Sequence, residues 1–157
     1  MPRFQGLTLA IEHATVQRDK ALAQWQTAVR ALEHGHEQMA QLRQYAGETE
    51  QRWVHTAQES TSAPLLFHHY QFLDRLHHAI QIQEGTLQTL EQRVASAKKV
   101  VIDAEVRLAG IKTLLARRER EWSQQMDRAL QKETDEFAAQ RALRALRAQQ
   151  EEDGDNP

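Results

Sequence analysis

The chain has 157 residues, of which 6 are Gly, 3 are Pro and none is Cys, and its formal net charge is -2 at pH 7. This near balance argues against a surface of one sign that would attract nucleic acid or an anionic membrane, and the lack of Cys excludes disulfides and thiolate zinc sites. Ala, Leu, Gln, Glu and Arg fill most positions, whereas strand-favouring residues are sparse. The composition therefore predicts an all-α protein.

The first predicted element is a coiled-coil helix over residues 1–59. In a heptad frame that starts at Phe4, seven of eight a positions and five of eight d positions are apolar, which indicates a narrow apolar seam on a polar helix. The a positions are Phe4, Ile11, Arg18, Trp25, Leu32, Met39, Ala46 and Trp53, and the d positions are Leu7, Ala14, Ala21, Ala28, Gly35, Leu42, Thr49 and Thr56. Gly35 and the alanines bury little area, so we expect weak pairing there.

A bend is predicted over residues 60–65, where the heptad register breaks. Ser60 and Ser62 are candidate helix caps, and Pro64 fits only the first turn of a helix. A second helix follows over 66–150, with 11 of 12 seam positions apolar. These are Leu76, Ile80, Gln83, Leu87, Leu90, Val94, Ala97, Val101, Ala104, Leu108, Ile111 and Leu115.

Two seams joined by a short connection predict a long antiparallel coiled-coil hairpin whose second helix is longer than the first. With the bend near residue 62, residue 4 lies opposite about residue 120 by symmetry. Residues beyond about 120 then form an unpaired overhang. Residues 151–157 are acidic and lack large apolar side chains, so we expect a disordered tail there.

No catalytic, metal or cofactor site is predicted. Adjacent histidines such as His68 and His69 do not share a helix face, and no HExxH motif accompanies them. We therefore expect the histidines to be solvated side chains on the helix surface. Phosphate-binding glycine loops are also missing, and a two-helix rod has no concave site for a small molecule. The N-terminus lacks the apolar core of a signal peptide, and no apolar run is long enough for a membrane span, so we expect a cytoplasmic protein.

Two regions permit both a structural and a functional interpretation. Near the bend, aromatic residues either staple the two helices together or form a docking patch on the side of the hairpin. In the overhang, residues 116–147 include eight basic and six acidic residues. This charge pattern is too mixed for an arm that binds nucleic acid. That stretch is either a solvated helix face or a protein-docking face that includes Trp122, Met126, Leu130 and Phe137.

Three stretches carry a resemblance to a known family. They are Glu37-Gln38 with Leu42 and Tyr45, the segment from Tyr70-Gln71-Phe72 to Ala79-Ile80, and Asp135-Glu136-Phe137-Ala138-Ala139-Gln140-Arg141-Ala142. Together with the hairpin plan, they make the chain similar to the FliJ family, the small coiled-coil components of the flagellar type III export apparatus. At two positions the chain departs from the family, with Thr at 49 and Gln at 83.

The resemblance implies a non-enzymatic central stalk that links the export ATPase hexamer to the cytoplasmic domain of the export gate and escorts export chaperones. It also implies a peripheral place at the inner-membrane export apparatus, reached only through partners. The gate patch would consist of Gln38, Leu42, Tyr45, Phe72, Leu76 and Ala79. The ring patch, which would face the ATPase, would consist of Phe4, Leu7, Trp122, Phe137 and Arg141.

Three alternatives remain open from the sequence. The chain is also compatible with the related stalk of an injectisome. A general coiled-coil holdase would instead bind unfolded clients through seams such as those at Leu32 and Leu90, and a plain structural adaptor would dimerise in parallel. Pro64 and the two separate seams count against the last interpretation.

Overall fold

A computed structural model of the chain describes residues 3–59 and 62–155. Two helices account for nearly all of these residues: α1, Gln5–Glu59, has 55 residues, and α2, Ala63–Gly154, has 92. The described part of the chain contains no strand. The predicted all-α fold with two helices, of which the second is longer, is thus confirmed.

The start of α2 shows how the bend region leads into the second helix. The backbone N–H of Leu66 donates to the Ser62 carbonyl at 3.1 Å, which makes Ser62 the residue that precedes the helix. Pro64 therefore falls in the first turn, where its missing N–H has no helical partner to lose. As a result, α2 begins at Ala63 rather than at 66, while Ser60 and Thr61 lie outside the described residues.

The end of α2 also differs from the predicted boundary at residue 150. The helix continues through Glu151, Glu152 and Asp153 and ends at Gly154, so part of the predicted disordered tail is helical. Extending an existing helix adds one hydrogen bond for each residue that becomes ordered, and Glu is a good helix former. Acidic composition and the lack of large apolar side chains do not reflect this contribution to helix stability. Asn156 and Pro157 lie outside the described residues.

The chain divides into two units. The hairpin unit, Ile11–Leu108, contains the greater part of α1 and the first half of α2. The terminal unit contains Met1–Ala10 and Ala109–Pro157. No helix of the described chain is long and apolar enough to cross a membrane.

The core of the hairpin unit follows the predicted seams. Its buried apolar residues are all seam positions: Ala14, Ala21, Met39, Ala46, Leu76, Val101 and Leu108. Gly35 is also buried, Thr56 is exposed, and the remaining seam positions of this unit are half-buried. Three of the seven buried residues are alanines, so the core is thin and each layer excludes little apolar area from water.

Gly35 is a point of close approach between the helices. A Cβ atom at this position would lie 2.9 Å from Leu90 Cδ1 and 3.0 Å from Leu87 Cδ2. Carbon atoms in ordinary contact are about 3.5 to 4.0 Å apart, so the two leucines fill the space that a side chain would need. Gly35 thus provides the space into which side chains of α2 pack, and it also weakens α1 as a helix.

The terminal unit changes character along α2. Phe4 and Leu7 from the start of the chain are half-buried, as are Ile111 and Leu115 from α2. Trp122 is the last half-buried residue, and every described side chain from Ser123 to Asp155 is exposed. The predicted overhang beyond about residue 120 falls in this stretch.

Candidate partner-docking surfaces

The gate patch forms two helical stripes in the hairpin unit. Gln38, Leu42 and Tyr45 are spaced by four and three residues on α1, and Phe72, Leu76 and Ala79 have the same spacing on α2. Side chains at these spacings share one face of a helix. Each trio therefore lies on one side of its own helix.

Tyr45 and Phe72 join the two stripes. Their ring centroids are 6.0 Å apart with planes at 87°, which is an edge-to-face contact. Tyr45 is 47% exposed and Phe72 is 39% exposed. Both rings therefore hold the helices together on one side and present apolar surface to solvent on the other.

The other gate-patch residues differ in how much surface they offer. Leu76 is only 8% exposed and belongs to the core between the helices. Leu42 and Ala79 are half-buried, whereas Gln38 is exposed. The surface available to a partner thus comes mainly from Gln38, Tyr45 and Phe72.

An open groove adjoins this surface, lined by Gln38, Gln41, Leu42, Tyr45 and Gln83. Gln83 crosses from α2 to α1: its Nε2 donates to the Gly35 carbonyl at 3.0 Å and lies 3.4 Å from Gln38 Oε1. Gln83 therefore makes a contact between the helices in addition to lining the groove.

An ion pair and a histidine–carboxylate contact connect the helices in the same region. Arg43 Nη2 lies 3.5 Å from Glu84 Oε1, and His77 Nε2 lies 3.5 Å from Glu50 Oε1. All four side chains are more than half exposed, so water and salt screen these pairs and each contributes little to stability. Their main consequence is a charged border beside the apolar gate patch.

A stacked pair at the bend end of the hairpin unit was not predicted from the sequence. The rings of Trp53 and His69 are 4.0 Å apart with planes at 15°, and His69 Nε2 is buried without a hydrogen-bond partner among the residues that the structure describes. The expectation that the histidines are solvated is therefore wrong for His69. The spacings of three and four that link Leu66, His69, Leu73 and Leu76 continue the α2 seam backwards, and this signal could have found it.

The aromatic residues near the bend thus divide between the two interpretations. Leu73 is half-buried and faces α1, which fits the staple. Phe67 is 62% exposed and Tyr70 is 60% exposed, so both are free to form surface. Phe72 contributes to both through its contact with Tyr45.

The ring patch lies in the terminal unit and forms two clusters. In the first, the Arg3 guanidinium carbon lies 3.0 Å from the centroid of a Trp122 ring, a cation–π contact, and Phe4 and Leu7 are half-buried nearby in sequence. In the second, Arg141 lies 5.9 Å from the Phe137 ring centroid, one helical turn away. At 1.5 Å per residue, Phe137 is about 22 Å from Trp122 along α2, so the five residues do not form one contiguous surface.

The part of α2 that contains the second cluster has large apolar side chains that are not packed in a core. Its exposed large apolar side chains are Met126, Leu130, Phe137, Leu143 and Leu146. Met126, Leu130 and Phe137 recur at spacings of four and seven, which places them on one side of α2. No group of three or more metal-binding side chains is found among the described residues.

Comparison with known proteins identifies the family to which the chain belongs. A family model described as Flagellar FliJ protein matches residues 4–147, which spans both helices and both patches. No curated protein and no solved structure matches the chain. The match covers well over half of the sequence, and the chain therefore belongs to the FliJ family, the non-catalytic components of the flagellar protein export apparatus.

Proposed function

We propose that the protein is the central stalk of the flagellar export ATPase ring and couples that ring to the export gate. The observation that carries the proposal is the stretch from Ser123 to Asp155, in which every described side chain is exposed although several are large and apolar. An isolated helix with such a stripe gains stability when a partner covers it. A ring of ATPase subunits that surrounds the helix supplies such a cover.

The ring patch supplies the chemistry for this contact. Phe137 offers an exposed aromatic ring with the Arg141 guanidinium beside it, and aromatic and Arg residues are enriched among the anchors of protein interfaces. Coupling requires the stalk to bind the conformational states of the ring with different affinities, because only a differential interaction shifts an equilibrium. The protein itself would hydrolyse nothing.

The gate patch supplies the second contact, to the cytoplasmic domain of the export gate. Tyr45 and Phe72 present a paired aromatic surface, and Gln38 adds hydrogen-bonding groups at its edge. An apolar centre with a polar border is the usual arrangement of a protein interface. Through these two contacts the protein would associate with the inner membrane only by way of its partners.

The ring contact is tested by measuring the hydrolysis rate of the purified ATPase hexamer with increasing amounts of the chain. We expect the chain to raise the rate and Phe137→Ala to remove most of the increase. Leu143→Ala is the matched control, because Leu143 is 53% exposed and lies about 120° around the helix from Phe137 at 100° per residue. An unchanged rate with excess chain would rule out the stalk mechanism.

The gate contact is tested by calorimetric titration of the gate's cytoplasmic domain. We expect Phe72→Ala to weaken binding about 30-fold, the effect of losing an anchor that contributes about 2 kcal/mol. Phe67→Ala is the control, since Phe67 is more exposed than Phe72 but lies outside the stripes. Equal losses from both variants would indicate non-specific apolar binding, as expected of a holdase, and would refute the assignment of the patch.

Escort of empty export chaperones is the third part of the proposal. It predicts a complex between the full chain and a purified export chaperone that survives gel filtration and forms without ATPase. The holdase alternative predicts instead that the chain suppresses aggregation of unrelated unfolded clients. A chain that suppresses such aggregation but binds no folded chaperone would contradict the escort role.

A further inference from the structure

Gln83 is the one polar residue in the α2 seam from Leu76 to Leu115. It is half-buried between the helices and donates its Nε2 proton to the main-chain carbonyl of Gly35 at 3.0 Å, with Gln38 Oε1 3.4 Å away. Polar groups within an apolar seam cost free energy unless they are paired, and in coiled coils a single such group can specify the register of the helices.

The alanine layers of the α1 seam define register poorly in the hairpin unit. Ala14, Ala21 and Ala28 recur every seven residues, so moving α2 by one heptad replaces one alanine layer with another of the same shape. The short connection between Glu59 and Ala63 does not prevent such a move, because the bend needs to shift by only three or four residues to accommodate it. These alanine layers therefore do not select the observed register by themselves.

Gly35 makes the contact with Gln83 specific to one register. Without a side chain, its carbonyl is open to the approaching amide, and the space above it is filled by Leu87 and Leu90. After a shift of one heptad, Gln83 would face Ala28 or Leu42 instead, whose side chains occupy that space. The amide would then lose its acceptor, and the leucines would lose the cavity that they fill.

We infer that Gln83 is a positioning residue that fixes the register of the hairpin unit through the Gly35 carbonyl. A shift of one heptad displaces α2 by about 10 Å along α1, which would separate the Tyr45 ring from Phe72. Gln83 thereby determines which residues of the two helices lie side by side. The register assignment does not depend on the proposed function, although its consequence for gate binding does.

The experiment measures distances between two nitroxide labels by pulsed electron paramagnetic resonance on the full chain. The absence of natural Cys provides a clean background, and Lys20→Cys with Gln92→Cys places labels at exposed positions on α1 and α2 of the hairpin unit. The parent should give a single distance. We expect Gln83→Leu to add a second population shifted by roughly 5 to 10 Å, because one heptad of axial displacement changes the separation by that order.

Two further variants make the result decisive. Gln88→Leu is the matched control, because Gln88 is exposed and lies outside the seam, and it should retain the single distance. Gln83→Asn keeps an amide that is too short to reach the carbonyl and should also show the second population, whether or not Leu is tolerated at 83. The inference is overturned if a helical Gln83→Leu or Gln83→Asn variant retains the single parent distance. Gate binding is measured separately, so failure of the proposed function leaves this result unaffected.

Discussion

Replacing Gly35 with Ala tests whether close packing or helix propensity dominates where Leu87 and Leu90 pack against α1. Considered as an isolated helix position, the change should be favourable, since Ala is more stable than Gly in a helix interior by about 0.8 to 1.0 kcal/mol. Considered in the structure, the new Cβ would lie 2.9 Å from Leu90 Cδ1 and 3.0 Å from Leu87 Cδ2. The two effects have opposite signs.

The contact distances decide which effect is larger. Both leucines must retreat by roughly 0.5 to 1 Å to reach ordinary van der Waals separation, and overpacking of this kind costs about 1 to 3 kcal/mol. After subtraction of the gain in helix propensity, Gly35→Ala should lower the free energy of unfolding by about 1 kcal/mol. Gly85→Ala is the matched control: nothing lies within 4 Å of its Cβ position, so it should raise that free energy by about 1 kcal/mol.

The assay is urea unfolding followed by far-UV circular dichroism for both variants. Their difference in unfolding free energy removes the shared helix-propensity term and reports the packing cost alone. Leu90→Ala provides a second check, because its cost should be smaller in the Gly35→Ala background than in the parent if the two side chains compete for the same space. If Gly35→Ala stabilises the chain as much as Gly85→Ala, the reasoning from the contact distances is refuted.

Three other predictions follow from contacts outside the Gly35 layer. Trp53→Leu should lower the unfolding free energy by about 0.5 to 1.5 kcal/mol through loss of the stack on His69. Hydrogen exchange near the bend should become faster, and an unchanged exchange rate would contradict the prediction. Arg3→Gln should lower the unfolding free energy by about 0.5 to 1 kcal/mol. In a background in which the other two tryptophans are replaced by Phe, it should also shift Trp122 fluorescence to the red. An unshifted spectrum would exclude the contact. Phe137→Ala should change the unfolding free energy by less than about 0.5 kcal/mol, as judged by urea unfolding, because Phe137 is 62% exposed.

The helical architecture was predictable because periodicity is a local property of the sequence. Long apolar heptads on either side of Pro64 are enough to indicate two helices and their buried faces. The same rule missed the start of the α2 seam, where His69 interrupts the apolar pattern although its ring stacks on Trp53. A polar ring with apolar faces occupies a seam position that a count of apolar residues does not recognise.

The surfaces were less predictable because exposure depends on residues that are distant in sequence. From the sequence alone, Gly35 is a residue that weakens helix α1. In the structure, Leu87 and Leu90 fill the space that a side chain at this position would need. The family resemblance assigns Leu76 to the gate patch, yet its side chain is only 8% exposed. Its position in the seam predicted this burial, whereas the resemblance pointed to a partner.

The thin core links the pairing of the helices to the surface that we assign to the gate. Alanine layers contribute little to pairing, so the Tyr45–Phe72 contact and the bond from Gln83 to Gly35 account for a larger share of it than in a leucine-rich hairpin. Both contacts adjoin the gate patch. A partner that binds Phe72 in its paired position therefore also favours the paired state of the hairpin unit. A change that loosens the pairing therefore weakens that partner's binding in proportion to the loss of the paired population.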